Sequence, residues 1–167
     1  MTPGQVMPGA GRVGAETRFH RRLDMHNVEG KTVLITGAAM GLGRLFAERA
    51  VEDGAAAVVL WDINEQALVD TADALQAAGG TVYGYIVDVS SADEIEATAA
   101  IVREEIGEID VLFNNAGIVR GNSYFWEVDD VAQIQLTMAI NSIAPMLVAR
   151  EFLPGMIAKT TECRIVN

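Results

Sequence analysis

Cysteine occurs once in these 167 residues, as Cys163, and lysine only as Lys31 and Lys159. A single cysteine excludes an internal disulfide and suits a reducing compartment, so a cytoplasmic location is expected. The two histidines, His20 and His26, have no ligand partner at metal spacing, and no metal site is expected. Basic residues number 12 against 23 acids, and the net charge of −11 repels a phosphate backbone, which argues against a nucleic-acid partner. No apolar run reaches the roughly 20 residues a membrane-spanning helix needs. Nor does any charged-then-apolar start resemble a secretory signal.

Half of the chain is apolar, enough for one domain with a core. Residues 1–29 stand apart: glycine, proline and scattered arginine with neither a helical nor a strand period, four arginines against three acids. They are expected to form a flexible leader. Its Arg21-Arg22 pair could meet an acidic partner, a solvated tail being the plainer reading.

From Lys31 onward strands alternate with helices, and residues 30–167 are expected to form one domain. TVLIT (32–36) is a β-branched strand, followed by a glycine loop and a helix through LGRLFAERAVEDG whose apolar face is expected at Leu42, Phe46, Ala50 and Val51. AAVVLWD (56–62) is a second strand. A helix over 65–80 follows, with Leu68, Ala72 and Leu75 in line, then strand three over 81–89. The segment 90–107 opens on a serine cap, is acidic in its first turn and ends at Gly107, the marks of a helix. IDVLFNNAG (109–117) is strand four with its turn, a long helix spans about 130–159, and CRIVN begins a fifth strand. Such alternation means βαβ units: an α/β doubly wound parallel sheet of the Rossmann type, with order 3-2-1-4 and a partial fifth strand.

The chemistry gathers at the strand ends. In TGAAMGLG (36–43), Gly37, Gly41 and Gly43 lie between a strand and a helix. Glycine lets backbone approach a phosphate closely, and the helix N-terminus adds free N–H groups and a positive dipole end. The same glycines would also suit tight strand–helix packing alone. Asp62 ends strand two, 19 residues after Gly43, where a carboxylate can accept both ribose hydroxyls of an adenosine. It would repel a 2′-phosphate, and no Arg or Lys stands at Ala38, Ala39, Met40 or Ile63 to receive one, so NAD is expected over NADP. Asp88-Val89 ends strand three, placing a carboxylate where an adenine amino group could reach it. Asn115, Ala116 and Gly117 follow strand four, either as a small turn against a flat cofactor or as a turn only.

Together these residues resemble the short-chain dehydrogenase/reductase family: TGAAMGLG its TGxxxGxG cofactor loop, DV its adenine-contacting pair, NNAG its motif after strand four. The resemblance covers residues 31–167, and GLGRLFA with VLWDIN is similar to the retinol and 17β-hydroxysteroid dehydrogenase branch. It implies hydride transfer between NAD and a small alcohol or ketone substrate, in a homo-oligomer. Cofactor contacts are then expected at Gly37, Ala39, Met40, Gly41, Leu42, Gly43, Asp62, Asp88, Val89, Asn115, Ala116 and Gly117. Asn141 matches the asparagine of the family's Asn-Ser-Tyr-Lys catalytic set. A sugar-nucleotide epimerase of the same superfamily would carry TGxxGxxG, a spacing absent from 36–43.

The rest of that set is missing. Four residues after Tyr83, Tyr85 and Tyr124 stand Val87, Val89 and Val128, so there is no Tyr-x-x-x-Lys. The resemblance puts the catalytic serine beyond the strand that CRIVN begins. The sequence is therefore expected to hold the cofactor half of an oxidoreductase, ending within strand five and inactive alone. The rival is a non-catalytic nucleotide-binding or interaction protein. Pro145 lacks the N–H that the Asn141 carbonyl would accept, so Asn141 is expected at a break in its helix.

Overall fold

The computed structural model describes residues 28–119, 124–127 and 130–167. The leader up to residue 27, with His20, Arg21, Arg22 and His26, lies outside the described residues, as does Ser123 in the loop after strand four. Val28 already packs against the core, and Gly30 N–H donates to the Gly54 carbonyl at 2.9 Å.

Five strands form one sheet: β1 Thr32–Thr36, β2 Ala57–Asp62, β3 Val82–Ile86, β4 Val111–Phe113 and β5 Arg164–Val166. Their order is β3-β2-β1-β4-β5 and every pairing is parallel, with Val33 beside Val58 on one side and Val111 on the other. The helices between them are α1 Gly41–Glu52, α2 Glu65–Ala77 and α3 Ala92–Glu105. Parallel strands buried on both faces read as continuous apolar runs, as VLI in β1 and VVLW in β2 do. The period of two then sorts them. Val33, Ile35, Val58 and Leu60 face α1 and α2, while Leu34, Val59, Trp61 and Leu112 face α3 and the long helix beyond β4.

The buried face of α1 differs from the expected one. Gly43, Ala47 and Ala50 are buried, whereas Leu42 is 65% exposed and Phe46 lies near the surface, stacked on Phe113. Small residues let α1 sit close on the sheet, and the larger side chains flank the contact.

The long helix is one 28-residue rod, Val131–Ala158, with a change of register inside it. It comprises α4 Val131–Met138, a π turn Ala139–Ile143 and α5 Ala144–Ala158. Within the π turn Ala144 N–H donates to the Ala139 carbonyl, five residues back. This re-phasing drops Pro145 into the first turn of α5, where a missing N–H costs little. Contrary to expectation, the rod is long and apolar enough to cross a bilayer, by length and composition alone, with an 18-residue stretch of mean hydropathy 1.4. Pro145, Pro154 and Arg150-Glu151 break its apolar runs in the sequence, and the fold does not break there. Its Ala144, Val148, Phe152 and Met156 ladder lies in the core against the sheet.

At the N-terminal end of the strands a polar cluster ties the last elements together. Lys159 Nζ donates to Asp110 Oδ1 at 2.6 Å and to the Glu108 carbonyl at 2.7 Å. Asp110 Oδ2 accepts from Thr32 N–H at 2.9 Å, and Lys31 Nζ reaches the Glu162 carbonyl at 2.7 Å. Burial alone would push the Asp110 carboxyl up; the bonds from Lys159 and Thr32 and the charge of Lys31 outweigh it and hold it below the usual carboxylate range.

Candidate functional site

The opposite, C-terminal ends of β1 to β4 open into a cleft of about 500 Å³. Of the expected residues, Gly37, Met40, Leu42, Asp62, Asp88, Val89, Asn115, Ala116 and Gly117 line it. Ala39, Gly41 and Gly43 shape the loop behind that lining, and Asn141 stands to one side.

The loop is built by close approach. Gly37 has φ +64°, and a Cβ there would meet Ala116 Cα at 2.8 Å. A Cβ on Gly43 would collide with the Gly37 carbonyl oxygen. The Asn115 amide spans the gap, donating through Nδ2 to the carbonyls of Thr36 and Gly37, both at 3.0 Å. The Thr36 hydroxyl accepts from the N–H groups of Asn115 and Ala116 at 3.1 and 3.0 Å. Asn115 thus holds the glycine loop against the turn after β4, where sequence reasoning expected a cofactor contact.

The two cleft carboxylates are already engaged. Asp62 accepts from Ala39 N–H through Oδ2 and from Asn64 N–H through Oδ1, each at 2.9 Å. A carboxylate has about four lone-pair sites, so each oxygen keeps room for a ligand donor. Asp88 Oδ1 takes the Ser90 N–H and hydroxyl at 2.8 and 2.7 Å, which leaves Oδ2. Among the described residues, no Lys or Arg lines the cleft.

Helix α1 begins at the cleft without a side-chain cap. Its N-cap residue is Met40, and no acid lies in its first turn. Asn64, Ser91 and Asp130 each cap the helix they precede with a side-chain oxygen. Unpaired N–H groups and a positive dipole end make an anion site, here beside a loop without side-chain bulk.

Asn141 does lie within the π turn. Its side chain pairs with the backbone of Ile118: Nδ2 donates to the carbonyl at 2.8 Å, and Oδ1 accepts from the N–H at 2.9 Å. It therefore fixes the chain leaving the turn after β4. Both lysines belong to the polar cluster at the far end of the sheet. Tyr85 donates to Glu105 Oε2 at 2.7 Å, and burial together with that bond pushes its phenol well above the ordinary range, the reverse of an activated tyrosine. Tyr124 stacks on Trp126 at 4.6 Å in an exposed turn.

Trp61, Ile63, Asn64, Val87, Ile118 and Ile140 also line the cleft and were not expected as contacts. Val87 was legible as the apolar residue before Asp88. Ile118 and Ile140 meet only through the fold.

A parallel doubly wound sheet with a bare helix N-terminus behind a glycine loop at its carboxyl edge defines the Rossmann-type class. Residues 31–167 match the family described as short chain dehydrogenase, and the chain belongs to it. It is 40% identical to estradiol 17-beta-dehydrogenase 11 of Macaca fascicularis, covering 78% of this chain and 43% of that protein. It is also 40% identical to epidermal retinol dehydrogenase 2 of Mus musculus, covering 79% and 42%. The likeness to the retinol and 17β-hydroxysteroid branch is borne out by these relatives, of which the chain spans less than half the length. Among solved structures, a short chain dehydrogenase/reductase of Burkholderia phymatum in complex with NAD is similar at TM-score 0.80 and 36% identity, covering 86% of this chain and 50% of that one. L-sorbose reductase of Gluconobacter frateurii, complexed with NADPH and L-sorbose, is similar at 0.73 and 32%, covering 79% and 49%.

Proposed function

We propose that the cleft binds NAD, and that the chain is the cofactor-holding part of a short-chain oxidoreductase acting on a small alcohol or ketone, working as a homo-oligomer. The bare N-terminus of α1 carries this reading: of the four helices α1 to α4, it alone has no side-chain oxygen on its first N–H groups, and its N-cap residue Met40 lines the cleft. Bound there, NAD would supply a hydride acceptor. Ala39 to Gly43 would hold its pyrophosphate, Asp62 the adenosine ribose and Asp88 the adenine amino group. Asn115, Ala116 and Gly117 would form the backbone wall beside Gly37. Asn141 would steady that wall through Ile118 and belong to the catalytic set the resemblance implies.

The acidic lining supports NAD over NADP. Asp62→Ala together with Ile63→Arg is expected to turn a preference for NAD into one for NADP. Removing carboxylate–phosphate repulsion and adding an Arg contact are each worth about 1–3 kcal/mol. Dissociation constants for both dinucleotides, measured on wild type and the double variant, check this. A wild type already favouring NADP refutes it.

No Tyr-x-x-x-Lys occurs in the chain, and both lysines sit at the far end of the sheet. The 167-residue protein is therefore expected to bind NAD without turning over any alcohol. Formation of NADH above an enzyme-free blank is the result that overturns this. The same observation favours the second reading, a nucleotide-binding protein without catalysis of its own.

A further inference from the structure

We propose that Thr71, a residue of α2 outside every motif above, is a positioning residue for recognition of the adenosine ribose. It acts through Ala39 on the Asp62 carboxylate. The inference rests on the NAD reading of the cleft.

Helix α2 buries Leu68, Thr71 and Leu75 on its inner face. Thr71 is fully buried between two leucines, where an apolar residue would pack as well and a hydroxyl costs free energy unless it is bonded. A mid-helix threonine commonly bonds back to the carbonyl of its own preceding turn. This one reaches 32 residues away instead, its Oγ1 donating to the Ala39 carbonyl at 2.9 Å.

Ala39 is the middle of the glycine loop and is itself buried. Its N–H donates to Asp62 Oδ2 at 2.9 Å, and the preceding Ala38 N–H to the Trp61 carbonyl at 3.2 Å. Two peptide planes therefore meet at Ala39. One is pinned by Thr71 and runs on into Met40, the N-cap of α1; the other aims its N–H at Asp62. The Asp62 carboxylate is held by two backbone donors, Asn64 and Ala39, and only the Ala39 bond depends on the loop. Without the Thr71 hydroxyl the Ala39 carbonyl becomes a buried acceptor with no donor, the plane turns to find one, and the N–H that orients Asp62 turns with it.

The test compares NAD with 2′-deoxy-NAD, which lacks the adenosine 2′-hydroxyl, by calorimetric titration of the full 167-residue chain. A hydroxyl donating to a carboxylate is worth about tenfold or more in affinity. Wild type is expected to favour NAD by about that factor. Thr71→Val, close in size but without a donor, is expected to bring the ratio within about twofold, and Thr71→Ser to restore it. If the valine variant fails to fold by circular dichroism, Thr71→Cys, a poor donor, takes its place with the same expected loss. A Thr71→Val chain that loses affinity for both ligands equally and keeps the tenfold ratio overturns the proposal while leaving the NAD reading intact. A serine variant that folds and behaves like valine overturns it too. A wild type that binds neither ligand, or both alike, overturns the ribose role of Asp62 and the proposal with it.

Discussion

Gly43→Ala is expected to abolish dinucleotide binding and to lower stability by about 3 kcal/mol, the upper end for forcing a methyl group into closed packing. The added Cβ would fall on the Gly37 carbonyl oxygen and within 2.6 Å of Asn115 Nδ2, the two groups whose bond joins the glycine loop to the turn after β4. Relief is hard to find. Helix α1 cannot back away, because Ala47 and Ala50 seat it on the sheet. The Gly37 backbone cannot retreat, because it already lies against Ala116. The strain therefore spreads into the loop itself. Urea unfolding and an NAD titration of the variant measure the two effects, and a variant with wild-type affinity would show that the loop is looser than its geometry.

Asp110→Ala is expected to cost about 3 kcal/mol, the lower end for removing one partner of a buried ion pair. The Asp110 and Lys159 side chains are 12% and 26% exposed, so the lost attraction is only partly screened. The variant leaves the Lys159 ammonium facing a carbonyl alone and the Thr32 N–H without its acceptor. The same pair sets an acid limit. The folded-state pKa of Asp110 lies below its unfolded value. Its contribution is therefore complete above the unfolded pKa of about 3.9 and is lost as pH falls through the lower folded value. Melting temperature followed from neutral pH downward should drop across that acid range in wild type. Asp110→Asn should lack that part of the drop. An unchanged acid profile in the variant would assign the acid sensitivity to other carboxylates.

The sheet was legible because parallel strands buried on both faces leave a mark that depends on little else. TVLIT appears with the expected bounds, and the order of the first four strands follows from the alternation with helices. The face of α1 was not legible for a related reason. A reading by hydrophobicity looks for large apolar side chains, and this helix seats itself with Gly43, Ala47 and Ala50 while Leu42 points outward. The last helix was expected over about 130–159 and runs from Val131 to Ala158; what the sequence did not show is the π turn at Ala139–Ile143, which removes the cost of Pro145. In the cleft, the positions of Gly37 and Asp62 were readable from spacing. The work of Thr36, Asn115 and Thr71 was not, since each acts by a hydrogen bond between segments 32 to 80 residues apart.

The strands carry two unlike ends: one opens into a cleft lined by backbone and carboxylates, the other gathers Asp110, Lys159 and Lys31 in a polar cluster. Five strand residues at about 3.3 Å each separate them, more than the screening length of about 8 Å in physiological salt. Changes at one end therefore have little leverage on the other, and their effects should add. A lineage built on this sheet could drift in tolerance of heat or acid at the clustered end while its ligand preference stayed put. It could equally exchange ligands at the open end without putting the whole at risk.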